Sequence, residues 1–461
     1  MRLKESLVRN IVFPLIDISS RSSVLKYLKL YEKSQWWSLK KLGEMQESKL
    51  RKMINHAWSN VPYYKRIFKT ENVKPGKTKK VEDLEKIPVL THDDVRRHLD
   101  DLVAVNASRS SLARVQTTGT TGHPLILYKD GNETSSGMGS LYRGWSWCGY
   151  NIGEKMAQIW GVRTARARVS KYQLLREQLR RVVTRNTLIS AWNLSHKDIE
   201  VAIKRLNKEK PTFLRGYVSP IYLLANFISQ KGADVKFNLK GISTTAEPLL
   251  GFQRKEIEKA FRCEVFDQYG SGEVFSCGFE CEAHMGLHIP MERVHIEFLD
   301  LDDNSPVSEG ETGRIVVTCL ENYGMPLIRY DTNDLGIKRE EFCACGRKLP
   351  LMDSIIGRTI DLIRLPNGKV IYGGLFVYAL EDLEWIAKYG VIQFQVIQKT
   401  RSHIVLKIQS QRTPVEQDIR LFIDLMQTSM GKDVFLEIKF VDEIPVSASG
   451  KRRYLISEVN N

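Results

Sequence analysis

No apolar run in these 461 residues approaches the ~20 needed to cross a bilayer as a helix, so an integral helical membrane protein is not expected. Cysteine is sparse and odd in number, with seven residues, which argues against a disulfide framework of the secreted type. A convincing secretory leader is missing too. The first apolar stretch, Ile11-Val12-Phe13-Pro14-Leu15-Ile16, is short and soon interrupted by Pro14 and Asp17. The reading is a cytoplasmic protein. Acidic residues are outnumbered, 54 against 69 basic ones. The net charge of +15 favours anionic partners: nucleotides, acidic lipid or nucleic acid. Nucleic acid is the weakest of these, because there is no helix-turn-helix signature and no RNA-binding type of aromatic interleaving. Repeats and low-complexity segments are absent. With 42% hydrophobic and 27% charged residues, the chain is globular in composition and long enough for two or three domains.

Residues 1 to about 95 read as a helical leader. Leu50, Met53, Ile54 and Ala57 recur at helical spacing, opposite Lys49, Arg51 and Lys52. Trp36, Trp37 and Trp58 are read as packing anchors. Leu3, Leu7 and Ile11 share a helical face beside Arg2, Lys4 and Arg9. Docking on the protein's own body is the favoured reading of that face, and lying on a membrane surface is the alternative. Residues 96–357 alternate strand-like and helix-like segments, which predicts a layered α/β body. Its basic run from Arg163 to Arg185 suits a solvated helix face or attraction of a phosphorylated substrate or carrier. Residues 358–461 change character. Phe394 and Val396 alternate with Gln393 and Gln395, and two further alternating runs follow at 404–409 and 436–440. These predict three half-buried strands with a helix before the last, capped by Thr413 with Pro414 in its first turn and Glu416 closing a capping box. The result is a small β-β-α-β unit.

The chemistry-bearing stretches come in a fixed order. Thr117-Thr118-Gly119-Thr120-Thr121-Gly122-His123-Pro124 can turn backbone N–H groups and hydroxyls onto an anion. It lacks the Gly-Lys-Ser/Thr of a Walker loop. Ser243-Thr244-Thr245-Ala246-Glu247-Pro248 is a small-residue loop after a strand. Asp267-Gln268-Tyr269-Gly270-Ser271-Gly272-Glu273 offers an aromatic and a carboxylate around a glycine-rich turn, suited to base stacking and Mg²⁺ near phosphates. Arg329-Tyr330-Asp331-Thr332-Asn333-Asp334-Leu335-Gly336 places carboxylates in a turn, where one can accept both hydroxyls of a ribose. Gly357-Arg358-Thr359-Ile360-Asp361 marks the change of domain, and Ser449-Gly450-Lys451 presents a lysine near the C-terminus.

That series resembles the acyl-adenylate-forming (ANL) superfamily, in its phenylacetate–CoA ligase-like branch with the CapK-type proteins of capsular polysaccharide loci. The likeness runs from about Lys49 to Glu458. It implies a large layered α/β N-terminal body of the adenylate-forming type and a small C-terminal α+β domain joined by a hinge at Asp361. It also implies ATP, Mg²⁺ and CoA as cofactors and a small carboxylic acid as substrate. Thr117, Thr118, Gly119, Thr120, Thr121 and Gly122 would clasp the β- and γ-phosphates. Thr245, Ala246 and Glu247 would line the adenine pocket. Tyr269, followed by Gly270, would stack on the base, and Glu273 would help hold Mg²⁺. Asp334 would bind the ribose, and Arg358 would steady ribose or phosphate. Lys451 would bridge the carboxylate and the α-phosphate. Thr118, Glu273 and Lys451 are the expected catalytic groups. Three departures stand out: Gly272 where the family often has Thr, Leu125 for a polar or basic residue, and Asn333 for Gly.

Four thiols and two imidazoles (Cys277, Cys281, His284, His288, Cys343, Cys345) fall in two clusters and suggest a closed, structural zinc site. Cys281, His288, Cys343 and Cys345 are the preferred ligands, with Cys277 and His284 as alternates. The acid's pocket is expected within residues 140–250, where Trp145, Trp147, Tyr150, Trp160 and Tyr217 supply aromatics. The expected reaction is ATP-dependent activation of a carboxylate through acyl-AMP, then acyl transfer to the thiol of CoA. The alternatives are transfer to a carrier protein or a glycan acceptor, or a catalytically weak nucleotide-binding scaffold in glycan assembly. Peripheral association with the inner face of the membrane through the basic N-terminus and homodimerisation are further partner readings.

Overall fold

The computed structural model describes residues 2–116, 125–161, 185–191, 196–353, 355–358, 362–371, 374–445 and 453–459. The Thr117 to Gly122 loop, Asp361, Lys451 and the basic run up to Arg181 lie outside the described residues.

The leading region is helical. The helix Leu39–Asn60 buries Leu42, Leu50, Met53, Ile54 and Ala57 completely. Pro62 then opens the helix Pro62–Thr70, where its missing N–H costs no bond. The helix Val24–Ser34 crosses the helix Gly131–Trp147 at very close range. A Cβ on Gly139 would stand 2.8 Å from Tyr27 Cβ, so only glycine fits that crossing. Beside it, Tyr31 Oη and Ser136 Oγ are 2.8 Å apart. The Glu292 carboxylate accepts from Ser34 Oγ at 2.7 Å and pairs with the fully buried Arg143. Arg293 pairs with Glu133 at 2.6 Å, also buried. Removing one partner of such a pair leaves an uncompensated charge in the core, and the Tyr31–Ser136 and Ser34–Glu292 bonds tie the leader to these buried pairs of the body. Of the three tryptophans read as anchors, Trp58 stacks on Phe68. Trp36 is instead 53% exposed, with the Arg347 guanidinium over its ring.

A hairpin, β1 (Ala113–Gln116) and β2 (Ile126–Lys129), brackets the threonine-rich loop. The main sheet then takes β3 (Met156–Trp160), β4 (Asn186–Ser190), β5 (Phe213–Tyr217), β6 (Gly241–Thr245), β7 (Val265–Ser271), β8 (Phe275–Glu280) and β9 (Leu287–His288). A second sheet takes β10 (Val294–Leu299), β11 (Thr312–Cys319) and β12 (Tyr330–Ile337). β13 (Leu351–Met352) returns to the edge of the main sheet, and β14 (Gly357–Arg358) closes the second. Among the described residues the main sheet runs β13-β9-β8-β7-β6-β5-β3-β4 and the second runs β10-β11-β12-β14. From β7 to β4 the main sheet is parallel, with helices such as Val218–Lys231 and Gly251–Phe261 as crossovers. Its inner strands β5, β6 and β7 are largely buried although they carry polar residues, while the edge strand β4 is mostly half-buried.

After the short pair β15 (Ile363–Arg364) and β16 (Val370–Ile371), the chain builds a separate sheet from β17 (Val391–Thr400), β18 (His403–Ser410), β19 (Phe435–Phe440) and β20 (Leu455–Ser457), in the order β19-β18-β17-β20. Two local expectations change here. β17 is an inner strand, and Gln393 and Gln395 are buried rather than facing water. Gln395 Nε2 donates to Arg453 O at 2.9 Å, and Gln398 Nε2 donates to Arg364 O at 2.8 Å. These amides hold the chain entering and leaving the unit. The helix begins at Glu416 with Val415 as its cap residue, and neither Thr413 nor Glu416 makes the expected capping box. Asp418 in its first turn instead pairs with Lys388 at 2.5 Å and accepts from the Tyr389 hydroxyl. This tertiary anchor sets the start two residues later.

Candidate functional site

In an open parallel sheet, ligands sit beyond the carboxyl ends of the strands. β6 ends in Thr245-Ala246-Glu247. Ala246 has φ 72°, a left-handed conformation that costs an alanine energy and often marks a ligand-contacting turn. The turn is held from below. Glu247 is buried and accepts from Ser219 N at 2.7 Å and Ser219 Oγ at 2.6 Å.

One strand over, the register of β7 slips between Tyr269 and Gly270. A Cβ on Gly270 would lie 2.5 Å from Phe275 O, so the bulge requires glycine there. The bulge aims Tyr269 at the second sheet. Its hydroxyl donates to Asp334 Oδ2 at 3.0 Å and lies 3.3 Å from Thr332 Oγ1. Asp334 is opposite Arg358 in the β12–β14 pairing, and Arg358 Nε lies 3.1 Å from Asp334 Oδ1. Burial and the Asp334 charge both raise the Tyr269 phenol well above its ordinary range, so it stays a neutral donor. Asn333, where the resemblance leads one to expect glycine, has φ 58°. Asparagine tolerates that conformation better than other side chains, and Asn333 N closes an Asx turn onto Asp331 Oδ1 at 2.7 Å. The departure therefore preserves the turn.

Glu273 lies in the turn between β7 and β8, partly buried, with its N–H on Ser271 Oγ at 3.2 Å. It belongs to the same electrostatic neighbourhood. Burial first, then the charges of Glu273, Asp334 and Asp331, push the Tyr330 phenol upward. Over Tyr330 stacks His92, with ring centroids 5.4 Å apart. Burial lowers the His92 pKa against the opposing pull of Glu273 and Asp331, and its buried Nε2 has no hydrogen-bond partner among the described residues. The sequence gives no signal for His92. It falls in a short helix with a Thr91/Asp94 capping box and reads as purely structural. A partly buried carboxylate of this kind could hold Mg²⁺, which keeps several waters and takes few protein ligands. Glu273 fits that role.

A second cluster lies where β8 and β9 end. The ligand atoms of Cys281, His288, Cys343 and Cys345 all fall within 4.8 Å of one another. Cys281 Sγ is 3.5 Å from Cys343 Sγ, and His288 Nε2 is 3.3 Å from Cys281 Sγ and 3.4 Å from Cys345 Sγ. Burial lowers the His288 pKa to about 4, so the imidazole is neutral. Its Nδ1 faces Leu349 O at 3.4 Å, which turns Nε2 toward the thiols. Three sulfurs and one nitrogen at tetrahedral spacing fit structural zinc. The two alternates lie elsewhere: Cys277 is in the apolar core, and His284 is 3.1 Å from Glu280. Trp147, expected among the acid-pocket aromatics, packs on His288 at 5.3 Å and so belongs to this cluster. Trp145, Tyr150, Trp160 and Tyr217 remain along the β3–β5 face. A cleft of about 760 Å³ nearby is lined by Arg254, Glu258, Glu280, His284, Arg339 and Asp353. Its cations are paired within it, Arg254 with Glu280 and Arg339 with Asp353.

Residues 366–458 match the model of the CapK C-terminal domain. Protein CapK of Staphylococcus aureus is 25% identical over 422 residues, covering 91% of this chain and 90% of that protein. The phenylacetate-coenzyme A ligase of Thermus thermophilus is 27% identical over 359 residues, covering 76% and 78%. Among solved structures, 2-hydroxyisobutyryl-CoA ligase in its postadenylation state superposes with a TM-score of 0.74 at 19% identity, covering 92% of this chain and 93% of that one. The same ligase in the thioesterification state gives 0.59 at 18% identity, covering 92% and 91%.

Proposed function

We propose that this homologue of CapK and of the phenylacetate–CoA ligases activates a carboxylic acid with ATP, forming acyl-AMP and pyrophosphate, and then passes the acyl group to a thiol. The observation that carries this reading is the convergence of Tyr269, Asp334 and Arg358. These residues come from three separate motifs and meet through bonds of 3.0 and 3.1 Å at the edge where β6 presents Thr245 to Glu247. Tyr269 supplies a ring for adenine, Asp334 accepts ribose hydroxyls, and Arg358 balances the charge. Glu273 would hold Mg²⁺, which when bound neutralises phosphate charge. Lys451 would carry a point charge, which needs no fixed fork geometry to reach the reacting oxygens. Carboxylate-dependent exchange of pyrophosphate into ATP tests the first half-reaction. Thioester formation with CoA tests the second and separates CoA from a carrier-protein or glycan acceptor.

The small unit after residue 358 is assigned as the part that moves, with Asp361 as its hinge, so that one chain presents two faces to one site in turn. The better superposition on the postadenylation form supports an arrangement close to that state. The CapK-type C-terminal region supports service in surface polysaccharide assembly, where the activated acyl group would be passed toward a glycan.

Two partners belong to this reading. The cysteine–histidine cluster is assigned structural zinc, stitching β8, β9 and the Cys343–Cys345 loop together. The N-terminal helices are assigned to an anionic membrane surface. Val8, Phe13 and Asp17 are buried against the body, while Leu7, Ile11, Leu15 and Ile18 on the opposite face are 52%, 51%, 60% and 73% exposed. An apolar stripe beside Lys4, Arg9 and Arg21 on a chain of net charge +15 has the make-up of an interfacial helix. No helix among the described residues is long and apolar enough to cross a membrane.

A further inference from the structure

The identity of the acid leaves a trace in one side chain. Arg215 lies on β5, in register with Ser243 of β6, and Tyr217 two residues on is in register with Thr245. At about 3.3 Å per residue, Arg215 therefore sits some 7 Å below the carboxyl end of the sheet. It shares a face with Phe213 and Tyr217, covered by the helix Gly131–Trp147. The guanidinium lies against two indoles, 4.4 Å from the centre of the Trp145 ring and 4.8 Å from that of Trp160. Trp145 is held in place by its Nε1–H, which donates to Gln268 Oε1 at 3.1 Å.

What Arg215 lacks is an anion. Among the described residues it makes no ion pair and no hydrogen bond, and its Nε is buried without a partner. The groups that act on it are the phenols of Tyr142, Tyr217 and Tyr150, and burial lowers its pKa only to about 10. It stays charged at neutral pH. The fully buried arginines among the described residues have carboxylates, whereas half-buried Arg215 has none: Arg143 has Glu292, and Arg293 has Glu133. A buried cation without an anion is costly, and stacking on tryptophan offsets only part of that cost. The indoles cover part of the guanidinium, and its N–H edge is the part that donates to a ligand. A planar carboxylate accepts two parallel N–H bonds in that plane.

We propose that Arg215 selects the acid: the substrate carries a second carboxylate, whose planar oxyanion docks on the Arg215 edge between Trp145 and Trp160 while the first is adenylated above. This rests on the adenylation reading and adds the substrate class to it. The test has two arms. In the first, pyrophosphate exchange is measured with matched pairs, adipate against hexanoate and terephthalate against benzoate. The wild-type chain is compared with Arg215→Met and Arg215→Lys. The second arm follows binding alone, by calorimetry of the same acids with each protein in the absence of ATP. Melting curves check that the variants remain folded.

A site built to bind a charged group rejects an analogue lacking it by ~10⁴, so a diacid preference of at least ~100-fold in kcat/KM is expected. It should collapse in Arg215→Met, mainly through KM for the diacid, and return in part in Arg215→Lys. Equal use of monoacid and diacid by the wild type, or a diacid preference untouched in Arg215→Met, overturns the proposal and leaves adenylation standing. Diacid binding that is lost in Arg215→Met, with no exchange for any acid, overturns adenylation and leaves the Arg215 site standing. No diacid binding and no exchange overturns the Arg215 proposal as well.

Discussion

Asp334→Asn keeps the shape of the side chain and removes its charge. In the folded chain the carboxylate takes the Tyr269 hydroxyl at 3.0 Å on one oxygen and Arg358 Nε at 3.1 Å on the other. The amide has one acceptor oxygen, so its NH₂ must face either the phenol or the guanidinium. A ribose hydroxyl that donated to the lost oxygen then has no acceptor. A hydrogen bond to a charged group contributes about 1.5–3 kcal/mol, which corresponds to a fall of roughly 10- to 150-fold in kcat/KM for ATP. The assay is acid-dependent pyrophosphate exchange with ATP, 2′-deoxy-ATP and 3′-deoxy-ATP. The wild type should lose a similar factor with at least one deoxy analogue, and the variant should not lose it again, because residue and hydroxyl are two ends of one bond. A variant that uses ATP as well as the wild type refutes the ribose role. So does a variant that discriminates against both deoxy analogues as strongly as the wild type.

Protein prepared without added zinc should carry the metal. Cys345→Ser should reduce its content and lower the melting temperature, and cobalt substitution should give thiolate charge-transfer absorption; a metal-free parent protein contradicts the assignment. Leu15→Lys with Ile18→Lys should weaken cosedimentation with anionic vesicles by about tenfold or more, since burying one such side chain is worth about 1.5–3 kcal/mol; unchanged binding removes the membrane role. Asp267 gives a pH dependence. Burial, then the Glu280 charge, raises its folded pKa to about 7, above an unfolded value of about 3.9. The native state thus holds the proton more tightly. The stabilisation is present at low pH and is lost as pH rises from ~4 through ~7. Asp267→Asn should flatten that part of the stability curve in denaturant melts, and parallel curves for the two proteins sink the argument.

Much of the site is legible in the sequence because each motif is short and local. Tyr269-Gly270, Thr332-Asn333-Asp334 and Gly357-Arg358 each encode a bulge, a turn or a strand end, and the second sheet brings the last two into register. What escapes the sequence is tertiary. Ser219 supports Glu247 from 28 residues away, and nothing in either segment announces it. His92 is hidden in a helix whose cap explains it fully. In β17 the alternation of glutamines with apolar residues predicts a wet face, yet Gln393, Gln395 and Gln398 are buried, and amides of this strand bond incoming backbone. The Thr413 cap yields to the Asp418 contacts. The cysteine cluster was the reverse case. The chemistry of its donors suggests six candidates with Cys281, His288, Cys343 and Cys345 preferred, and the donor atoms of those four lie within 4.8 Å of one another.

The central claim is that the chain adenylates a carboxylic acid. The direct measurement is exchange of radiolabelled pyrophosphate into ATP across a panel of monocarboxylic and dicarboxylic acids, with wild type and Lys451→Ala side by side. The account predicts exchange that depends on an added acid and is abolished in a folded Lys451→Ala protein that still binds ATP. An absence of exchange across the panel, or exchange that survives Lys451→Ala undiminished, contradicts it.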